Sequence, residues 1–277
     1  MRTLSFTIFD NKTTEAFMEE KALVDIYREV LADIDTRFLT RGDKAGLSGL
    51  FLPSMPDCYA SARNKVMVVG CETRAWYVKL PKKDENFLHG YIDSAMDTHR
   101  QHLVCELKKS KSRGRSFFNF MRDVSAKVGQ EGLVYSNLLC NSWQKKSPLK
   151  SPDLEEIVHC SEHLLKAQIK FLQPDLIIFA NGIASAAVRR SFFPIDDKNS
   201  DRACYNSRDF SEQGVRKHHL WAFDLDVGLD RRIPCYRIHH PSARAPEADL
   251  ARKFLLGLLP SESQISNGPR PQLSPAT

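Results

Sequence analysis

Hydrophobic and polar positions follow two rhythms along this chain. Leu23, Ile26, Tyr27, Val30, Leu31 and Ile34 recur at steps of three and four, which predicts a helix over 14–38 with one apolar face. Residues 65–70 are instead a short β-branched run (Val66, Val68, Val69) closed by Gly70, the pattern of a strand buried on both faces. The helical rhythm returns over 117–128 and the strand rhythm over 132–139. Ser151 and Pro152 then suit a helix start, Ser as N-cap and Pro at the first helical position. Leu154, Ile157, Leu164, Leu165, Phe171 and Leu172 form the apolar face of that helix. A third strand is predicted over 174–182, running into a helix over 183–190, with further strands over 220–225 and 234–238 and a last helix over 246–258. The polar stretch 193–215 reads as a loop, one that could order on a partner.

Strands alternating with helices predict a three-layer αβα sandwich around a central, mainly parallel sheet of four to five strands. The expected organisation is one domain over 1–260, with an N-terminal helical extension over about 1–58 and a disordered Ser/Pro/Gly/Asn-rich tail over 261–277. In such sheets chemistry collects where the parallel strands end.

Composition narrows the classes of function. With 42% hydrophobic and 27% charged residues over 277 positions, the chain can bury a real core. No apolar run approaches the ~18 residues of a membrane span, and the first residues lack a basic-then-apolar signal, so a cytoplasmic protein is expected. Seven cysteines without a C-x-x-C pair argue against a disulfide framework, a zinc ribbon or a four-cysteine iron–sulfur cluster; no metal and no cofactor are expected. The net charge of +6 is mild, but Lys108, Lys109, Lys111, Arg113 and Arg115 lie together with no acid among them, as in a loop that tracks phosphates. Basic pairs recur at Lys145-Lys146, Arg189-Arg190, Arg216-Lys217 and Arg231-Arg232.

Three constellations fall at predicted strand ends. Gly70, Cys71 and Glu72 place a carboxylate just after a glycine turn, followed by Thr73, Arg74, Ala75, Trp76 and Tyr77. Asn137 and Asn141 flank the end of the second strand, and an amide offers both a donor and an acceptor to a base edge. His239, His240, Pro241, Ser242 and Arg244 follow the last strand; in an extended chain the two imidazoles point to opposite sides, so only one can face Glu72. Phosphate-loop, dinucleotide-binding and nucleophile-elbow motifs are all missing, and His159 with His163 lacks the carboxylate of a zinc-peptidase helix.

In the order acid, Asn, His-Pro-Ser, these pieces resemble the uracil-DNA glycosylase superfamily over roughly residues 60–258, including its branches that excise modified bases in anti-phage defence. The matching positions are Gly70-Cys71-Glu72, Asn137 and His240-Pro241-Ser242, and the 174–182 strand is similar to one of that family. The first motif departs from the well-known branches: Thr73, Arg74, Ala75 and Trp76 replace the Pro-Tyr or Pro-Gly after the acid, and with it the aromatic gate that shuts out bases substituted at carbon 5.

The resemblance implies a monofunctional enzyme that flips a pyrimidine out of DNA and hydrolyses its N-glycosidic bond, leaving an abasic site. Glu72 would stabilise the cationic sugar and orient water, His240 would donate to the base O2, and Asn137 would read the base edge. Trp76 or Tyr77 would stack on the base, with Gly70, Cys71, Arg74, Asn141, His239 and Arg244 lining the pocket. Ser242 and the 108–115 loop would hold phosphates. The expected protein is a monomer whose partner is DNA, including phage DNA carrying glucosylated hydroxymethylcytosine. Repair of uracil, a non-catalytic DNA-binding module and a nucleotide-processing enzyme on the same scaffold are the rival expectations.

Overall fold

A computed structural model describes residues 11–34, 37–40, 46–195 and 201–261. In chain order the elements are α1 (Asn11–Leu31), α2 (Arg37–Thr40), β1 (Val66–Gly70), α3 (Phe87–Lys108), α4 (Ser116–Val128), β2 (Leu133–Asn137), α5 (Leu154–Leu172), β3 (Leu176–Phe179), α6 (Ala186–Phe192), β4 (Cys204–Arg208), β5 (Leu220–Leu225), β6 (Ile233–Ile238) and α7 (Pro246–Leu258). The tail expected beyond residue 261 lies outside the described residues.

The strands form one mixed sheet in the order β2-β1-β3-β6-β5-β4. β2, β1, β3 and β6 run parallel, while β5 and β4 are antiparallel. The parallel centre is the most apolar part of the chain. Val66, Met67, Val68 and Val69 of β1 and Ile177, Ile178 and Phe179 of β3 are all inaccessible to solvent. Each such side chain contributes about 1.5–3 kcal/mol by leaving water, so these two strands anchor the fold.

The structure corrects the sequence reading at several points. The sheet has six strands, not four to five, because β4 lies within the polar stretch read as a loop, of which 196–200 lie outside the described residues. β4 is an edge strand: Cys204 is buried, but Asn206 and Ser207 are exposed, and a register shift between Tyr205 and Arg208 coincides with a left-handed Asn206 (φ 48°). Polar links hold it to β5, Arg208 to Asp224 at 3.1 Å and Trp221 Nε1 donating to Ser207 Oγ at 2.7 Å.

α3 has no counterpart in the sequence reading. Its inner face mixes Tyr91, Ile92, Ala95, Met96 and Leu103 with His99 and Glu106, which breaks the apolar stripe. The 14–38 helix divides into α1, ending at Leu31, and the short α2. Helix α5 starts at Leu154 after Asp153; Ser151 Oγ accepts from Asp153 N (3.2 Å) in the preceding turn and does not cap the helix itself.

The N-terminal segment is bound into the domain. α1 packs on α5 and α3, and the Tyr27 hydroxyl donates to Pro53 O at 2.8 Å. Among the described residues no helix is long and apolar enough to cross a membrane. All four parallel strands end on one edge of the sheet. From β1 the chain proceeds to β2 on one side, and from β3 it proceeds towards β6 on the other, so the connections diverge between β1 and β3. A crevice between carboxyl ends forms at such a point.

Candidate active site at the carboxyl edge of the parallel strands

Gly70 ends β1 directly opposite Asn137, the last residue of β2. A Cβ at Gly70 would lie 2.6 Å from the Asn137 side-chain amide and 3.2 Å from the Phe117 ring, so only glycine lets the two strand ends close up here. With its oxygen toward Thr73, the Asn137 amide accepts from Thr73 N (3.2 Å) and Thr73 Oγ1 (2.6 Å) and donates to Ser136 O and the Tyr135 hydroxyl (both 3.2 Å). Thr73 Oγ1 also meets the Tyr135 hydroxyl at 2.9 Å. Asn137 therefore clamps the loop that carries Glu72.

The Glu72 side chain is only 6% exposed. Oε1 lies 3.5 Å from Arg74 Nε, whose own side chain is 69% exposed, and Oε2 is shielded from water with no hydrogen-bond partner. A shielded, unpartnered carboxylate oxygen is costly in a folded protein, and it marks a place where a partner is to arrive. Burial pushes the neighbouring Cys71 thiol up, and the charge of Glu72 adds to that, so Cys71 is held as a neutral thiol. After Arg74 the chain turns through Ala75 in the left-handed region (φ 53°) and carries Trp76 into the core.

β3 contributes a residue that the sequence reading passed over. Asn181 follows this strand, is 3% exposed, and leaves both Oδ1 and Nδ2 without partners. The signal was an amide ending an otherwise apolar run from Leu176 to Ala180. Gly182 comes next with φ +77°, and a Cβ there would meet His240 Cβ at 3.1 Å.

His240 faces this rim. Burial lowers its pKa, and the charge of Glu72 acts on it in the opposite sense, so Glu72 lies within electrostatic reach of the ring. Ser242 N donates to His240 Nδ1 at 3.2 Å, with Ser242 Oγ 2.7 Å from the same nitrogen. An Nδ1 that accepts a backbone N–H carries no proton of its own, so the neutral ring holds its proton on Nε2. The Phe117 ring stacks 6.1 Å away at 23°, held in turn against Tyr135 at 5.0 Å. Phe117 was also missed; an aromatic pair, Phe117 and Phe118, at the start of α4 was its only trace.

Glu72, Asn137 and His240 thus come together with Gly70, Cys71, Arg74 and Ser242. Other expected pocket residues do not join them. Trp76 is 7% exposed, donates to Leu50 O at 3.1 Å and packs on Phe51, so it is core and cannot stack on a ligand. Asn141, 1% exposed, spends Nδ2 on Ser48 O at 2.9 Å and ties down the N-terminal segment. His239 turns away and packs on His219, ring centroids 4.9 Å apart. Tyr77 is 76% exposed and Arg244 is exposed.

The basic stretch 108–115 is partly engaged within the fold: three of its five cations form ion pairs. Glu106, buried on α3, is bound by Lys109 at 2.6 Å and by Arg115, and Lys111 pairs with Asp123. Burial works against the charge on Glu106, but hydrogen bonds from Lys109 and Arg115 outweigh it and hold the carboxyl below its usual range. Of the five cations, only Lys108 and Arg113 have no ion pair among the described residues. Neither models of protein families nor curated proteins give a match to this chain, so its function has to be read from this rim.

Proposed function

We propose that this protein is a monofunctional DNA glycosylase, built as a three-layer sandwich of the uracil-DNA glycosylase type, that flips out a pyrimidine and hydrolyses its N-glycosidic bond. The observation that carries the reading is a His240 ring whose Nδ1 accepts from Ser242 N, within electrostatic reach of a shielded, partnerless Glu72 oxygen on the same rim. Cleavage of the bond builds positive charge on the sugar and negative charge on the departing base. Glu72 is placed for the first charge, where it also orients the attacking water. His240 Nε2–H is placed for the second, donating to the base O2 as charge develops there; a fixed donor of this kind is commonly worth ~3–4 kcal/mol in the transition state.

Asn137 acts as a positioning residue through Thr73, and the unspent amide of Asn181 is the group available to read the base edge. Phe117 offers an aromatic face beside His240. Flipping costs a few kcal/mol, which stacking and phosphate contacts offset.

The favoured substrate is cytosine with a bulky 5-substituent, such as glucosylated hydroxymethylcytosine in phage DNA, excised as an antiviral defence. Its support lies in the path of the first motif after Glu72: Arg74 swings out to solvent, Ala75 turns, and Trp76 enters the core, so none of the three gates the rim. The test is incubation with matched DNAs containing uracil, hydroxymethylcytosine or glucosylated hydroxymethylcytosine, followed by alkali to reveal abasic sites. Excision confined to glucosylated DNA supports the defence reading. Excision at uracil makes it a repair enzyme and removes the gate argument. Binding without any abasic site leaves a non-catalytic module and overturns the roles of Glu72 and His240.

A further inference from the structure

The side of β6 that His239 occupies carries a second group of unusual chemistry. Pairing of Leu220 with Ile238 brings the 216–219 turn level with His239. The His218 and His219 rings lie 3.9 Å apart, and His219 reaches His239 at 4.9 Å. His219 is 9% exposed, and its Nδ1 and the Nε2 of His239 are both shielded without partners. No three His, Cys, Asp or Glu side chains among the described residues are placed to hold a metal ion, so the imidazoles are not arranged as a ligand set.

Cations surround these rings. Arg237 donates to His218 O at 2.6 Å and to Lys217 O at 3.0 Å, which fixes the turn, and Lys217 Nζ lies 5.8 Å over the Trp221 ring. Behind them Arg189, 3% exposed, stacks over Trp221 at 5.3 Å with Nη1 unpartnered. Arg190 and Arg216 are exposed, and their charges reach Arg237 and His219 respectively. None of these cations forms an ion pair among the described residues; Asp209 and Glu247 reach Lys217 and His219 only through longer-range charge. Burial lowers Arg237 to about 10, and the charges of Arg189 and Arg190 add to that, the crowding of like charge that an anion relieves.

We propose that the ledge of Arg190, Arg216, Lys217 and Arg237, with His218, His219 and His239 set into it, carries the phosphodiester backbone of the DNA strand whose base enters the rim. The proposal rests on the glycosylase reading and adds to it the path of the strand. Position and pairing support it: His239 is one residue from His240, and none of the ledge cations is in an ion pair among the described residues, whereas three of the five in the 108–115 loop are bound to Glu106 or Asp123. Two imidazoles with unused nitrogens add donors for phosphate oxygens once protonated beside an anion.

The test measures affinity of the full chain for an unmodified DNA oligonucleotide by fluorescence anisotropy between about 50 and 200 mM salt. Each phosphate contact contributes about 0.9 to the slope of log affinity against log salt. Joint replacement Arg190→Ala, Arg216→Ala and Lys217→Ala is expected to lower that slope by about 2–3 and to weaken binding at least tenfold at low salt. The pair Lys108→Ala and Arg113→Ala is expected to change it little. All three ledge residues are exposed, and an unchanged melting temperature verifies folding.

A slope that falls for the 108–115 pair and not for the ledge overturns the proposal while leaving excision untouched. A reduced slope in a protein that excises no base upholds the ledge and discards the glycosylase. Tighter binding of RNA than of DNA overturns the choice of partner, and no binding to either overturns both readings.

Discussion

His239 and His240 leave β6 one peptide bond apart and end in opposite surroundings. His240 lies over Gly182 and beside Phe117, its Nδ1 taken by the Ser242 N–H, its pKa lowered by burial against the opposing charge of Glu72. His239 packs among His218, His219 and Arg237, where burial and neighbouring positive charge push its pKa down with no carboxylate to oppose them. Residue type decides nothing here. The path of the chain after β6 and one local hydrogen bond set which imidazole lies within electrostatic reach of an acid and which of its nitrogens carries the proton. The largest expected effect breaks this contrast at its active end: His240→Ala or Glu72→Gln should lower single-turnover excision by about 10²–10³-fold, with DNA affinity retained. Excision within a few-fold of the parent protein for either variant would remove that residue from the chemistry.

A third imidazole separates burial from chemistry. His99, fully buried on α3, accepts from Ser54 N at 3.0 Å through Nδ1, so its Nε2 donates to Tyr135 O at 2.9 Å. Burial lowers its pKa to about 3 from an ordinary 6.5. The unfolded chain therefore takes up a proton below pH 6.5 while the folded chain does not. Stability is full above 6.5 and is lost as the pH falls towards 3. At about pH 5 His99 alone should cost about 2 kcal/mol, a drop of about 4–8 °C in Tm for a chain of this size. His102, His219, His239 and His240 are shifted the same way and add to it. Thermal melts at neutral and mildly acid pH check this, and His99→Gln, which can accept and donate in the same place, should flatten the loss. An acid-insensitive Tm in the parent protein would contradict the neutral, buried state of His99.

The same contrast shows what a sequence makes legible. β1 and β3 were readable because strands buried on both faces need unbroken apolar runs; the acid stands next to the first of them, and His-Pro-Ser follows β6. The opposed directions of His239 and His240 followed from strand periodicity alone. β4 was not readable, since an edge strand with one wet face is composed like a loop. α3 escaped because its inward face includes His99 and Glu106, polar groups satisfied only by partners distant in sequence. Trp76 and Tyr77 could not be sorted into core and surface until the left-handed turn at Ala75 was known. Nor could local sequence reveal that Glu106 holds Lys109 and Arg115 of the 108–115 loop.

Next in size is the lock on His240. Ser242→Ala removes the hydroxyl 2.7 Å from Nδ1 but keeps the backbone donor. The ring should stay in its tautomer and lose orientation, a loss of about 1–1.5 kcal/mol or roughly tenfold in single-turnover excision. A plain structural role for Ser242 would lower Tm without changing the rate per folded molecule. The same assay carried out across pH separates the two, because a loosened imidazole becomes easier to protonate and its acid limb moves up.

The smallest effect belongs to His239 and tests the assignment most directly. Its ring lies against His219, and no step of bond cleavage passes through it. His239→Ala should leave single-turnover excision at saturating DNA within about twofold, since a residue that contributes only to ground-state binding alters the apparent affinity and not the bound complex's rate. The affinity itself should weaken, and more so as the pH falls, because a protonated imidazole beside phosphate is what the ledge would lose. If His239→Ala abolishes excision and His240→Ala is silent, the two rings have exchanged roles. Glu72 would then face no proton donor, and the rim would have to be reassembled around the imidazole that now points toward β5.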